Sequence, residues 1–380
     1  MNNQYKEQKQ VDMTKVTFLA MVHPPYDERI WFHQRLALTE TGYHVSVISA
    51  MPVNVVEEDV YAFEGGSYSP IGKIKKAVEL LHQLHPDIII CDTPLAIFAA
   101  KYYQQKVKCR IVYDVTEWYP SKKNLVGLSG LKRIIKTATL KIANKLAAQF
   151  TNGFIFGEQL KAVPFLKKQP HKPSVFTSYY ADLQYIKNQP SQTISNNCNL
   201  FYAGSLTVEK GFFATVESVI LAAEKCPNTH FTLKIITKQP EELTRTLPSN
   251  VTISMMTFMP FEEFCNEITR SDLFLDLRTN DSENTQCLPI KLFYYLACGR
   301  PSIFTNLKAI QIDAPDCATC CQLVNPANTE EVAQAIAAYV NNHELYTEHG
   351  LLARQLAEKK YNWGNIKVEF VKFITQLAMQ

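Results

Sequence analysis

The sequence predicts an α/β chain made of two doubly wound domains, each with a parallel sheet. Three observations predict it. Short apolar runs alternate with longer helical stretches along nearly the whole chain, the pattern of strand, crossover helix, strand. At 380 residues the chain has the length of two ordinary domains. A polar, proline-containing stretch, Asp182 to Asn199, interrupts the alternation near the middle, and Ser191 to Asn197 is its loosest part. With 46% apolar and 20% charged residues, the composition is that of a folded globular protein and excludes a disordered chain.

Met1 to Thr14 is polar and charged and has no apolar centre, so residues 1–14 read as a disordered tail and not as a signal peptide. No run approaches the length of a membrane span. Ten cysteines without a secretory signal point to reduced thiols and a cytoplasmic setting. Cys317, Cys320 and Cys321 cluster, but a second ligand pair at zinc spacing is absent, so buried thiols are expected and no metal. The net charge of +3 hides an asymmetry. Residues 1–180 hold 23 basic and 15 acidic side chains, giving +8, and residues 181–380 hold 16 and 21, giving −5. The basic half suits an anionic partner, such as the inner face of a membrane or a charged lipid-linked acceptor. The basic stretches lack the aromatic interleaving of a nucleic-acid platform.

In the first domain, expected over 15–185, Val16–Val22 is the first buried strand. The polar turn His23-Pro-Pro-Tyr-Asp-Glu-Arg29 leads to a helix over Ile30–Thr41, stopped by Gly42, and a strand over His44–Ser49. In that turn Asp27 either caps the helix and pairs locally with Arg29, or joins His23 in a functional loop. After a variable region, 51–70, come helix Ile71–Leu84, strand Pro86–Cys91, helix Leu95–Gln105 and strand Arg110–Asp114. That last strand delivers Asp114, Thr116 and Glu117 into a loop at its C-terminal edge. A carboxylate there either orients a hydroxyl and accepts its proton, or, for Asp114, caps the following turn. The helix Leu131–Phe150 mixes Leu131, Ile134, Ile135, Ala138, Ile142 and Leu146 with five basic residues. It either packs an apolar face on the sheet or lies on an anionic membrane. Strand Gly153–Phe156 and helix Glu158–Leu166 follow.

The second domain, expected over 196–360, opens with strand Asn199–Ala203. Next comes the polar loop Gly204-Ser-Leu-Thr-Val-Glu-Lys-Gly211, which enters helix Phe212–Lys225. Backbone N–H groups of such a turn, the helix N-terminus and the Lys210 ammonium suit a diphosphate, and a solvated lysine is the alternative. Strands His230–Ile236 and Val251–Ser254 continue the sheet, and a helix starts after Pro260. The run Leu273–Leu277 is a buried strand, and Thr279–Gln286 is polar throughout and must be a loop. Pro289 suits the first turn of the next helix, Gly299 stops it, and Ser302–Phe304 is a strand. Helices fill about 330–360, and 361–380 form a final amphipathic helix.

The string Leu288-Pro-Ile-Lys-Leu-Phe-Tyr-Tyr-Leu-Ala-Cys-Gly-Arg-Pro301 resembles the nucleotide-sugar signature LPxKLFEYMACGxP of retaining GT-B glycosyltransferases, group 1 or family 4-like. His23-Pro-Pro-Tyr-Asp27-Glu-Arg29-Ile30 resembles the HPxxDxRI pattern of a bacterial branch. The resemblance implies two Rossmann-like domains facing a cleft, with the last helix crossing back to the first. It implies a nucleotide-diphosphate sugar as donor, a glycan or lipid-linked hydroxyl as acceptor, and no cofactor or metal. On the donor side it points to Gly204, Ser205, Lys210, Gly211, Phe258, Leu288, Pro289, Lys291 and Tyr294; in the loop before Leu288, Asp281 and Glu283 either contact the donor's sugar hydroxyls or are surface residues. On the acceptor side it points to His23, Asp27, Asp114 and Glu117. Three positions depart from the family. Tyr294 stands where a Glu grips the ribose, Thr116 where many relatives carry His, and Ser205 where relatives often carry Arg. Arg278 or Lys291 is expected to supply the missing charge. The activity implied is sugar transfer in surface polysaccharide or glycolipid assembly, and the alternative is a degenerate relative that binds a nucleotide or a partner enzyme.

Overall fold

Residues 13–54, 57–187, 194–241, 243 and 245–380 are described by a computed structural model. Most of the expected N-terminal tail, and 188–193 of the middle stretch, lie outside the described residues. The continuous apolar runs become the inner strands of two sheets, because a strand covered on both faces has no polar side to present. The first sheet contains β1 (Lys15–Ala20), β2 (His44–Ser49), β3 (Val60–Ala62), β4 (Ile88–Cys91), β5 (Arg110–Val115), β6 (Gly153–Phe156) and β7 (Ser174–Phe176). The second contains β8 (Asn197–Ala203), β9 (His230–Thr237), β10 (Val251–Thr257), β11 (Leu273–Asp276), β12 (Ser302–Thr305) and β13 (Cys321–Val324).

The first sheet runs β3-β2-β1-β4-β5-β6-β7 and the second β10-β9-β8-β11-β12-β13. Every strand pairing is parallel. Both sheets therefore grow outward from their first strand, then reverse. The reversal falls between β1 and β4 in one and between β8 and β11 in the other. Beyond the carboxyl ends of such a pair the crossover chains diverge, which leaves room for a ligand.

The chain divides into two compact units. The first takes the chain up to Phe156, then Pro164–Phe176 and Lys367–Gln380; the second takes Gly157–Val163 and Thr177–Ile366. The last helix, Trp363–Ala378, thus belongs to the first unit from Lys367 onward. There Thr375 meets the Tyr43 hydroxyl at 2.8 Å, Lys367 pairs with Glu40 at 3.2 Å, and Phe373 packs against Gly153. In the second unit the period of two sorts the strands. Leu200, Leu233, Leu273 and Leu275 face one core, and Phe201, Phe274 and Phe304 face the other. Tyr295 lies flat on Phe274, centroids 4.1 Å apart, and locks the helix Ile290–Ala297 to the sheet.

One expected helix differs in kind. Ile30–Thr41 is in fact a π-helical stretch, Glu28–Arg35, that continues as a short α-helix, Leu36–Glu40. Residues five apart diverge around an α-helix but come over one another when each turn closes i to i+5. That winding brings Arg29 and Gln34 to the same buried partner, Asp114.

Candidate functional site

The centre of the second unit's switch point is Asp276, the last residue of β11, buried at 2% exposure. Arg278 grips it with two parallel bonds, Nε to Oδ1 at 2.8 Å and Nη2 to Oδ2 at 2.7 Å. Lys291, in the first turn of helix Ile290–Ala297, adds its ammonium at 3.0 Å. It also donates to the carbonyl of Ala203 at the end of β8. Burial works against charge on Asp276, but Arg278 and Lys291 outweigh it and hold the carboxyl well below the usual carboxylate range. For Lys291 burial dominates and lowers its pKa; Asp276 opposes this, and the charges of Arg278 and Lys210 lower it further. Tyr202 stands between the two lysines, for the Lys291 ammonium lies 5.7 Å from its ring centroid and the Tyr202 hydroxyl bonds the Lys210 carbonyl.

Lys210 is carried by the loop after β8. Tyr202 fixes the loop, its hydroxyl donating to the carbonyls of Ser205 at 2.7 Å and Lys210 at 3.2 Å. Gly211 then turns the chain with φ +77°, and a Cβ there would lie 2.0 Å from the carbonyl oxygen of Leu277. Only glycine meets both demands. The loop is joined to the one after β11, for the Glu209 carbonyl accepts from the Thr279 N–H at 3.0 Å and from the Asn284 amide at 3.3 Å. Gly204 donates to the carbonyl of Ile236 at 2.9 Å, and Ser205 is exposed. The Lys210 side chain is 42% exposed and 3.2 Å from Glu209, a surface pair that leaves the ammonium accessible. Phe258, 58% exposed on the loop after β10, presents a ring to solvent.

Several expected donor-side residues are placed otherwise. Tyr294 is 1% exposed, its ring edge-on to Phe261 at 5.8 Å and to Phe264 at 6.3 Å, so its phenol sits in the core and is not presented to a ribose. Arg278 and Lys291 do not stand free to replace an Arg at Ser205, because both close on Asp276. Pro289 is the cap of the helix and not part of its first turn. The Leu288 N–H is already taken by the Glu158 carboxylate. Asp281 shapes its own loop, accepting from the N–H groups of Glu283 at 2.9 Å and Asn284 at 3.1 Å and from the Thr279 hydroxyl at 2.8 Å. Glu283 is half-buried at the start of the turn Asn284–Gln286.

In the first unit the switch point holds a second polar group. Asp27 caps the π-helical stretch, accepting from the N–H groups of Arg29 at 3.1 Å and Ile30 at 3.4 Å. The Arg29 guanidinium reaches Asp114, Nη1 to Oδ1 at 2.7 Å, while Gln34 donates to the other oxygen at 3.3 Å. Asp114 is fully enclosed, and burial raises its pKa against the pull of Arg29 and Gln34. That placement makes it a structural partner of the helix and removes it as a base open to an acceptor. Glu117 is exposed. His23 meets Asp92 at 2.9 Å through Nδ1. Burial disfavours its charge, but the Asp92 bond and charge outweigh this, and its pKa is raised.

Sequence reasoning missed Asp92, Asp276 and Glu158. Asp92 accepts from the N–H groups of Met21 at 2.9 Å and Val22 at 3.1 Å, so it holds the β1 turn as well as His23. Its signal was available: an aspartate directly after a buried strand and before the capped helix Pro94–Gln104. Glu158 and Lys161 form a buried ion pair that fixes the Leu288 backbone. The ten cysteines are free, and Cys317, Cys320 and Cys321 are buried. Among the described residues, no group of three or more His, Cys, Asp or Glu side chains is arranged to hold a metal ion.

No family profile and no curated protein sequence matches the chain. Solved structures do match it. A sucrose-phosphate synthase from Thermosynechococcus elongatus superposes with a TM-score of 0.72 at 12% identity, covering 96% of this chain and 99% of that one. HepE of Anabaena, solved with UDP-glucose, gives 0.68 at 14% identity over 95% and 99%. A trehalose-6-phosphate synthase, studied for glycosyl transfer with retention, gives 0.67 at 12% identity over 96% and 99%. With the two parallel sheets and their shared strand order, these likenesses give the chain the GT-B fold, two Rossmann-like units whose structural neighbours are glycosyltransferases.

Proposed function

We propose that this chain transfers a sugar from a nucleotide-diphosphate donor to a hydroxyl acceptor, with retention and without a bound metal, in surface polysaccharide or glycolipid assembly. One observation carries the reading. The lysine-bearing turn after β8 and the head of helix Ile290–Ala297 stand at the same end of one sheet, tied through Glu209, Thr279 and Asn284. The motif resemblance and the GT-B neighbours, HepE with UDP-glucose among them, support it. In this reading Lys210 and the N–H groups around Gly211 meet the diphosphate and stabilise the negative charge that grows as the glycosidic bond breaks. Phe258 stacks on the base. Asp276 acts at one remove, holding Arg278 and Lys291 in place around the loop. The acceptor-side roles fall to His23, oriented by Asp92, and to Glu117.

A donor-hydrolysis assay across UDP-, GDP- and dTDP-sugars tests the proposal, with release of free nucleotide expected for at least one. Lys210→Glu should weaken donor affinity by at least about tenfold, since a charge-assisted phosphate contact becomes a repulsion. Unchanged affinity would remove Lys210 from the site. The buried phenol of Tyr294 favours a second reading, a nucleotide binder without turnover. Tight donor binding with no product from any acceptor would establish that one instead.

A further inference from the structure

The two sheets have four edges, and one of them is unlike the others. β3 and β7 have three residues each and β13 has four, but β10 has seven. A short edge offers little backbone to another chain, whereas a long one is a template. β10, Val251-Thr-Ile-Ser-Met-Met-Thr257, contains no proline, glycine or charge. The uncharged stretch runs from Thr246 to Phe261. On its inner side β10 pairs with β9 along its whole length. The Asn250 carbonyl accepts from the Phe231 N–H at 2.8 Å, so the even-numbered residues turn their backbone groups to β9. Ile253, Met255 and Thr257 therefore aim theirs outward, and among the described residues no backbone group meets them. Thr252, Ser254 and Thr257 are exposed.

We propose that two copies of this chain associate through β10, edge to edge and antiparallel about a twofold axis, so that the six-stranded sheet continues into its copy. A pairing centred on Ser254 sets Ile253 opposite Met255 and Val251 opposite Thr257, with Ser254 facing its own counterpart. Each pair joins two odd or two even positions, so every side chain stays on the face of the sheet it already occupies. The outward groups of Ile253 and Met255 then meet one another, as an antiparallel ladder requires. Charge does not oppose the contact. The strand itself has none, and Lys234, beside Ser254 in register, is paired with Glu267 at 2.8 Å. The area is that of a weak dimer. Seven residues from each copy bury less than a standard interface, which suits a dissociation constant on the order of 10–100 μM. The proposal stands apart from sugar transfer, because association is read with no donor present.

The test is sedimentation of the full chain over a range of concentrations. A reversible shift from 43.3 kDa toward twice that mass is expected. Ser254→Glu sets two carboxylates face to face at the axis and should weaken association at least about tenfold, while within one chain it lies beside Lys234. Met255→Pro removes one outward N–H, leaves the bonds to β9 in place and should weaken association as much. Thermal unfolding near that of the wild type is the control for both variants. In the wild type itself, the amides of Ile253 and Met255 should exchange with solvent at least about threefold more slowly in the dimer. A chain that stays monomeric at about 1 mM overturns the proposal, as does exchange at these amides that ignores concentration. Wild-type association by either folded variant overturns it too. So does growth past the dimer, because a twofold pairing closes on itself.

Discussion

The two units repeat one strand order and place a buried aspartate near the same reversal, yet they balance it differently. In the second unit Asp276 faces two cations, Arg278 and Lys291. In the first, Asp114 is matched by Arg29, and Asp92 by a histidine and two backbone N–H groups. The difference teaches that a single topology sets where polar groups gather but leaves their response to protons open. Arginine keeps its charge across the ordinary pH range, and the two-bond grip of Arg278 on Asp276 holds that pair charged. Histidine does not, so the first cluster loses the His23 charge as pH rises.

The largest expected effect comes from breaking the second cluster. Asp276→Asn leaves Arg278 and Lys291 crowded without a counter-charge and should cost about 3–5 kcal/mol in urea unfolding. Adding Lys291→Met should recover part of that loss. If the single variant unfolds at the wild-type midpoint, the two units do not differ in the way described.

A comparable but pH-dependent effect belongs to His33 in the first unit. Burial, reinforced by the Arg29 charge, pushes its pKa down to about 3. The unfolded chain takes up the proton near 6.5, so the stability linked to neutral His33 is complete above that value and is lost as pH falls toward 3. On the order of 3 kcal/mol should be gone by pH 4, read through Trp31 fluorescence. Asp114, whose pKa is raised, works in the opposite direction over its own range. His33→Asn should flatten the acid limb, and an unchanged limb would assign it elsewhere.

The smallest effect is at His23. Its raised pKa means that the pair with Asp92 stabilises the fold below about 6.5 and stops doing so as pH rises through the folded value. Asp92→Asn should lower the His23 pKa in an NMR titration. A variant with the wild-type titration would dissolve the pairing.

The sequence made the inner strands legible because each is a continuous apolar run, as in Ile88–Cys91 and Leu273–Asp276. The edge strands β3 and β7 have three residues each, too few to display a period. The Lys210 turn could be found from its two glycines, since Gly211 answers to a backbone requirement that sequence displays directly. Its partners could not. His23 and Asp92 are 69 residues apart, and Glu158 and Leu288 130 apart, brought together only once the strand order is known. Tyr294 was misread because a motif position names a role, and the surroundings of that position decide whether its side chain faces a ligand or the core.

Nine of the ten thiols are buried, and Cys287 alone is partly open. It lies between the turn Asn284–Gln286 and Leu288, at the junction of the β11 loop with the helix head. A maleimide dye added to the native chain should therefore attach at a single place. Because burial pushes this thiol's pKa up, coupling should quicken in mildly alkaline buffer. A dye on Cys287 would sit where the β11 loop meets the helix head, and a donor-dependent change in its signal would report binding there without an engineered cysteine.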